Sequence, residues 1–264
     1  MYNLAFSNIA WDAAQDIEMY EILQKRNFMG LEIAPSRVFG DKPYTKLSDA
    51  EEWSKWLKST YGILVCSIQS IWFGRVENIF HTISDRENLI DYTIQAINFC
   101  DKIQCTNIVF GCPKNRNMKN AKDIDIAYQF FQRISSYAAS KGICIALEAN
   151  PPIYHTNFLN DTYEVIEFVK SLGTEGLKVN LDIGTVIENG ENLSAIFEYS
   201  NLIHHIHISE PYLLLIKRRE LHNELKNLIQ ISGYERYISI EMGKREDIKE
   251  VVGIIDYIGK IFSE

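Results

Sequence analysis

The sequence predicts an α/β fold, a closed (β/α)8 barrel of parallel strands. Along its 264 residues, short apolar segments with strand character alternate with longer amphipathic segments, and this alternation occurs eight times. Strands that alternate with helices are typical of parallel sheets, and eight such units in about 250 residues match the usual size of a barrel. Composition does not shift along the chain, and no linker divides it. We therefore expect a single domain over residues 1–264.

The predicted elements follow one another without long gaps. The strands cover residues 2–7, 30–34, 63–69, 106–111, 143–148, 177–182, 202–207 and 237–241. The helices cover about 12–25, a segment from Ser48 onward, 85–102, 121–141, 161–173, 191–199, 217–231 and 245–262. Ser48, with Glu51 three residues later, has the pattern of a capping box, and Gly142 is typical of a helix C-terminus. A doubly wound open sheet is the alternative, but the glycine-rich loop typical of that fold is absent from residues 7–11.

Composition excludes several classes of protein. The net charge of −8 gives no electrostatic footprint for nucleic acid or an anionic membrane. The five cysteines are odd in number and lack close pairs, which argues against a disulfide framework and a zinc ribbon. Neither a signal peptide nor a run long enough to span a bilayer is visible, so the expected compartment is the cytoplasm.

Four predicted strands end on a residue that can bind a metal ion: Glu148, Asp182, His207 and Glu241. The C-terminal ends of barrel strands meet at one face, where barrel enzymes have their active sites. One such residue alone is more often an ion-pair partner or a hydrogen-bonded core residue. Four at equivalent positions favour one divalent ion, and carboxylates with one imidazole suit Mn²⁺, Mg²⁺, Co²⁺ or Zn²⁺. Such an ion polarises a carbonyl and stabilises an enediolate, while flanking carboxylates transfer protons.

The strand that ends on His207 carries two further histidines. Because side chains alternate along a strand, His205 is expected on the same face as His207, one layer deeper in the barrel. The same alternation places His204 on the opposite face, towards the helices. We interpret His205 as a packed residue or a support for the ligands and His204 as structural.

Six further polar residues lie at or just behind predicted strand ends and are candidate substrate contacts: Glu32, Gln69, Lys114, Arg116, His155 and Glu210. Lys114 and Arg116 suit a phosphate or carboxylate of the substrate, with a solvated basic loop as the equal alternative. His155 suits a sugar hydroxyl, although a surface histidine is as good an interpretation. Glu210 suits the orientation of a metal ligand or a substrate hydroxyl.

The segments Leu147-Glu148, Leu181-Asp182-Ile183-Gly184, His205–Glu210 and Ile240-Glu241-Met242 resemble the xylose isomerase-like TIM barrels. Within them, the chain is most similar to the sugar phosphate isomerase/epimerase group, which includes ketose 3-epimerases, and the resemblance spans the whole chain. It implies that Glu148, Asp182, His207 and Glu241 bind one divalent metal ion, and that Glu148 and Glu241 transfer protons on opposite faces of the substrate. It also implies a small-molecule sugar or sugar derivative as partner and, since family members are often dimers or tetramers, a homo-oligomer.

Three positions depart from the pattern of the ketose epimerases. Thr185, Leu213 and Tyr154 stand where those enzymes carry a histidine, an arginine and a second glutamate. All three positions contact the substrate in those enzymes. The resemblance therefore supports the predicted metal centre more strongly than it supports a free ketose as the substrate. The leading interpretation is a metal-dependent sugar isomerase or epimerase. The alternatives are a dehydratase of a keto-inositol type of substrate and a non-catalytic sugar-binding barrel. The related endonucleases are disfavoured because they need several metals, more histidines and a DNA-binding face.

Overall fold

The computed structural model describes residues 2–263 and contains a closed barrel of eight parallel strands. Each strand pairs with its neighbours in sequence, and β1 pairs with β8 to close the barrel. The strands are β1 (Asn3–Ser7), β2 (Gly30–Ile33), β3 (Leu64–Ile68), β4 (Asn107–Phe110), β5 (Cys144–Glu148), β6 (Leu177–Asp182), β7 (Ile203–Ile208) and β8 (Tyr237–Ile240). The predicted barrel is confirmed, and the open-sheet alternative is wrong.

Helices surround the barrel and connect its strands. They are α1 (Asp16–Lys25), α2 (Pro35–Phe39), α3 (Leu47–Tyr61), α4 (Ile83–Lys102), α5 (Ile124–Ser140), α6 (Thr162–Leu172), α7 (Ile183–Asn189), α8 (Leu193–Ile196), α9 (Glu220–Ser232) and α10 (Ile248–Ser263). The short helices α2 and α7 were not predicted. The prediction that Ser48 caps a helix is wrong, because α3 already begins at Leu47 and its N-cap residue is Lys46. The N-cap residue of α7 is Asp182, whose side chain accepts a hydrogen bond from Thr185 N at 2.6 Å.

Aromatic side chains fill much of the layer between the strands and the helices. Phe110 of β4 packs edge to face on Phe131 of α5, with ring centroids 5.0 Å apart. Phe131 in turn packs on Phe168 of α6 at 5.4 Å. Buried polar strand residues bond to one another, as Asn107 does by donating to Ser67 Oγ at 2.9 Å. The apolar layer therefore holds the strands in place while a buried polar network runs between them.

A β-bulge in β7 overturns one sequence-based expectation. Val179 of β6 pairs with Ile203, but the next residue, Asn180, pairs with His205, so His204 is an extra residue on β7. Such a bulge interrupts the alternation of side chains. His204 therefore does not face the helices: its Nδ1 lies 2.8 Å from Asn107 Oδ1 on the non-adjacent strand β4. A bond between strands three positions apart has to cross the barrel interior.

All five cysteines are free thiols. Within residues 2–263, no helix combines the length and the apolar character that crossing a bilayer requires.

The contact between α5 and the start of β6 depends on Gly176, and Gly176→Ala tests it. A Cβ at this position would lie 2.1 Å from Ser135 O and 2.8 Å from Ala139 N, both backbone atoms of α5. We expect the substitution to lower the free energy of unfolding by about 1–3 kcal/mol in urea titrations. The matched control is Gly253→Ala in α10, where no atom lies within 4 Å of the new Cβ and about 0.5–1 kcal/mol of stabilisation is expected. Equal effects of the two substitutions would contradict this account.

Candidate metal centre and active site

Four ligand-type side chains converge at the C-terminal ends of β5 to β8. One potential ligand atom from each of Glu148, Asp182, His207 and Glu241 lies within 4.8 Å of the other three. His207 Nδ1 is 3.2 Å from an Oε2 atom of both Glu148 and Glu241. The backbone register explains the convergence, because Asp182 and His207 are directly paired on β6 and β7. The predicted four residues are thus brought together by parallel pairing.

Two glycines leave room for the carboxylates. A Cβ on Gly111, at the end of β4, would lie 2.8 Å from Glu148 Oε1. A Cβ on Gly184, in α7, would lie 3.1 Å from Asp182 Oδ1 and 2.9 Å from Ser209 Oγ. Ser209 also donates a hydrogen bond to Asp182 Oδ2 and accepts one from Gly184 N at 2.8 Å. A side chain at Gly111 would crowd Glu148, and one at Gly184 would crowd Ser209 and Asp182.

Glu32 orients the imidazole of His207. It is fully buried, and its Oε2 lies 3.0 Å from His207 Nε2 and 3.3 Å from His205 Nε2. A carboxylate accepts hydrogen bonds, so His207 carries a proton on Nε2 and directs Nδ1 towards Glu148 and Glu241. The expectation that Glu32 contacts substrate is replaced by this placement beneath the ligands. His205 is buried beside it, as predicted, and lies 2.9 Å from Ser239 Oγ.

An amide holds the second oxygen of each of the two glutamates. Asn150 Nδ2 donates to Glu148 Oε1 at 2.9 Å, and Gln69 Nε2 donates to Glu241 Oε1 at 2.8 Å. Asn180 Nδ2 also donates to Glu148 Oε2 at 2.7 Å. Sequence reasoning identified Gln69 but not the roles of Asn150 and Asn180. Asn180 has a signal in the sequence, since it shares the inward alternation of Asp182 on β6.

The charges of the cluster oppose one another. Burial and then the carboxylates of Glu148 and Glu241 raise the pKa of Asp182 to about 7. Burial also raises the pKa of Glu241. Burial disfavours a charged His207, but the carboxylates around it outweigh that effect and raise its pKa well above the usual value. Without a cation, protons have to reduce the repulsion between the carboxylates.

The donor set fits one divalent metal ion. Atoms on opposite sides of an ion with bonds of about 2.0–2.2 Å are up to about 4.4 Å apart, close to the separations among the four side chains. Three carboxylates and one imidazole, without thiolate, suit Mn²⁺, Mg²⁺, Co²⁺ or Zn²⁺. A dication would also offset the like charges that perturb Asp182 and Glu241. Glu148, Asp182, His207 and Glu241 are therefore the residues that would hold it.

A cavity of ≈ 210 Å³ opens over the cluster. Its lining consists of Gln69, Ser70, Val109, Gly111, Cys112, Pro113, Glu148, Asn150, Tyr154, Asp182, Ser209, Glu210, Leu213 and Glu241. Ligand cavities for drug-sized molecules measure roughly 300–1,000 Å³, so this one suits a smaller molecule. Asn150 Oδ1 is buried without a hydrogen-bond partner among the described residues, which leaves an acceptor at the cavity wall.

The structure brings only some of the other predicted substrate contacts to the cavity. Gln69 and Glu210 line the cavity, although Arg219 binds both carboxylate oxygens of Glu210 at 2.7 and 2.6 Å. Lys114 and His155 are exposed and lie outside the cavity lining, because their loop segments direct them to solvent. Arg116 is fully buried and donates to the backbone oxygen of Glu148 at 2.8 Å. It therefore supports the end of β5 from behind the cavity.

Comparisons with known proteins agree with the fold. The family model described as xylose isomerase-like TIM barrel matches residues 20–259. The apo structure of 3-keto-D-glucoside 4-epimerase YcjR from E. coli superposes with a TM-score of 0.80 at 15% identity and covers 100% of both chains. No curated protein sequence matches the chain.

Two further solved structures differ in described activity but share the fold. D-psicose 3-epimerase with D-tagatose from Clostridium cellulolyticum H10 has a TM-score of 0.80 at 15% identity, covering 98% of this chain and 99% of the other. An AP endonuclease, family 2, from Brucella melitensis has a TM-score of 0.73 at 16% identity, covering 97% and 99%. At these identities the likeness establishes the fold alone, and the side chains have to carry any argument about activity.

The role assigned to Glu32 predicts that Glu32→Gln weakens metal binding roughly 10–100-fold. The amide would keep the volume but remove the charge that fixes the proton on His207 Nε2. Titration calorimetry with Mn²⁺ on metal-free protein measures the effect, and Glu18→Gln on the exposed side of α1 is the matched control. Unchanged affinity in Glu32→Gln would show that Glu32 does not orient the ligand.

Metal affinity is expected to fall as the pH falls through 7. Asp182, with a pKa of about 7, and His207, with a raised pKa, have to lose protons before they bind a cation. Binding should therefore be weaker and release more protons below pH 7 than above it. Calorimetry in two buffers that differ in ionisation enthalpy measures the affinity and the number of protons released separately. An affinity independent of pH over this range would contradict the assignment.

Proposed function

The chain belongs to the xylose isomerase-like TIM barrel family, and from this premise we propose that it is a divalent-metal-dependent isomerase or epimerase of a sugar or sugar derivative. The reaction would move a proton at a carbon next to a carbonyl, through an enediolate. One observation carries the proposal. Glu148 and Glu241, on strands separated by β6 and β7, each direct one carboxylate oxygen to the ligand cluster and have the other held by an amide.

The two glutamates are proposed as the proton-transfer pair. Each lines the cavity from a different side of the barrel, so a small substrate between them would meet a carboxylate on each face. Burial favours the protonated form of Glu241 and raises its pKa, whereas hydrogen bonding and charge from His207 lower the pKa of Glu148 against the effect of burial. The pair therefore differs in proton affinity, as an acid and a base need to.

The remaining residues of the site have supporting roles in this proposal. When bound, the divalent ion would polarise the carbonyl of the substrate and lower the pKa of the C–H group at the neighbouring carbon. Gln69 and Asn150 keep the two glutamates in position, and Asn150 Oδ1 is placed to accept a hydrogen bond from a substrate hydroxyl. Glu32 keeps His207 in the tautomer that presents Nδ1 to the cluster.

Incubation of candidate ketoses and sugar derivatives with Mn²⁺-loaded protein in deuterated water tests the reaction class. An isomerase or epimerase would incorporate one deuterium at carbon without loss of mass from the skeleton, because the proton exchanges with solvent. Loss of water from the substrate would instead indicate a dehydratase and overturn the proposal.

Single substitutions of the two glutamates test their roles. We expect Glu148→Gln and Glu241→Gln each to lower kcat by roughly 10²–10⁴-fold, because each removes a proton-transfer group. Both side chains are also proposed metal ligands, so the metal content of each variant has to be measured at saturating Mn²⁺. Glu18→Gln provides the matched control and should retain activity. Full turnover in either metal-loaded variant would exclude that residue from proton transfer.

A further inference from the structure

The charges in the cavity are of one sign. Its charged lining residues are Glu148, Asp182, Glu210 and Glu241, and no lysine or arginine lines it among the residues that the structure describes. Arg219 neutralises Glu210 through a bidentate ion pair. A bound divalent cation would supply two positive charges against the other three carboxylates. The groups that line the loaded cavity therefore keep one net negative charge and include no cation that could bind a phosphate or carboxylate group of the substrate.

The two basic residues of the loop after β4 do not line the cavity. Arg116 is completely buried, and among the described residues its guanidinium makes one hydrogen bond, to the backbone oxygen of Glu148 at 2.8 Å. Lys114 is exposed to solvent, although the preceding Pro113 lines the cavity. Neither guanidinium nor ammonium group therefore forms part of the surface that a substrate would touch.

The loops that follow the strands form an apolar upper wall of the cavity, made of Cys112, Pro113, Tyr154 and Leu213. The polar lining residues lie at the strand ends or within two residues behind them. The hydroxyl of Tyr154 already accepts a hydrogen bond from Tyr212 N at 2.8 Å. Burial keeps the Cys112 thiol neutral by raising its pKa to about 12. The upper wall thus offers a substrate mainly apolar contact.

The backbone of the upper wall is held in a costly conformation. Cys112 has φ of 49° and Leu213 has φ of 53°, in the left-handed region that residues other than glycine rarely adopt. The oxygen of Leu213 accepts a hydrogen bond from Gly243 N at 2.8 Å, which ties the loop to the end of β8. Strained residues persist where the surrounding structure determines them, and they cluster at functional sites. The surrounding contacts therefore fix the positions of these two side chains in the cavity lining.

We infer that the substrate is an uncharged polyhydroxy carbonyl compound whose end remote from the metal carries an apolar group, such as the terminal methyl of a deoxyketose. This inference rests on the proposed function. The carbonyl end would meet the carboxylates and Asn150, and the apolar group would bury its surface against the upper wall. A hydroxyl in the same place would lose hydrogen bonds to water and gain at most the one that the Tyr154 hydroxyl can donate.

Three ligands that differ at one position test the inference: a 6-deoxyketose, its 6-hydroxy counterpart and the 6-phosphate of that counterpart. Calorimetry with Mn²⁺-loaded protein measures their Kd values, and deuterium exchange measures turnover separately. We expect the deoxyketose to bind roughly tenfold or more tightly than the hydroxy compound, and the phosphate to bind more weakly than both.

A substitution in the upper wall should change this preference. Leu213→Asn introduces an amide and uses a residue type that adopts left-handed backbone more readily than leucine. It is expected to bring the Kd values of the deoxyketose and its hydroxy counterpart close to each other. The control Ile231→Asn, on the exposed face of α9, should leave their ratio unchanged.

Each outcome bears on one of the two proposals. Equal affinity for the deoxy and hydroxy compounds, tighter binding of the phosphate, or no binding of any of the three would overturn the inference about the substrate. A preserved deoxy preference without deuterium exchange would support the upper wall but count against the proposed isomerase.

Discussion

The structure depends on the burial of three carboxylates and one imidazole around a single point. Charges of like sign repel strongly where water is scarce, and burial together with that repulsion raises the pKa values of Asp182 and Glu241. The backbones of the four residues cannot move apart, because each lies at the end of a different strand of a closed sheet. A divalent cation offsets this cost directly, so the geometry that opposes folding of the metal-free protein also creates affinity for metal.

The neighbouring polar residues make this cluster specific. Glu32 selects the tautomer of His207, while Gln69 and Asn150 each hold the oxygen of a glutamate that does not face the cluster. Buried polar groups require partners, and here each partner also sets a direction. Proton transfer depends on such placement, since a misdirected carboxylate would lose most of its effect. The supporting residues therefore connect the packing of the barrel with the proposed chemistry.

The site has two levels with different origins. The ligands lie at strand ends, where the barrel itself determines position. The upper wall lies in loops, where Cys112 and Leu213 adopt strained backbone and Tyr154 is fixed by a bond to its neighbouring loop. Barrels support many reactions because their loops vary while the strand ends persist. In this protein the lower level supports the proposed reaction class, and the upper level supports the inference about the substrate.

The sequence by itself determined the barrel and the residues of the metal centre, because strand periodicity and strand ends are local features that parallel pairing then superposes. Every strand was predicted to within two residues. Only the tertiary structure decided what depends on distant contacts. The bulge in β7 turned His204 into the barrel, the closed sheet placed Glu32 behind His207, and the fold of the loop after β4 buried Arg116 while leaving Lys114 in solvent. Loop paths and bulges arise from the packing of the whole barrel, so a local sequence pattern does not predict them.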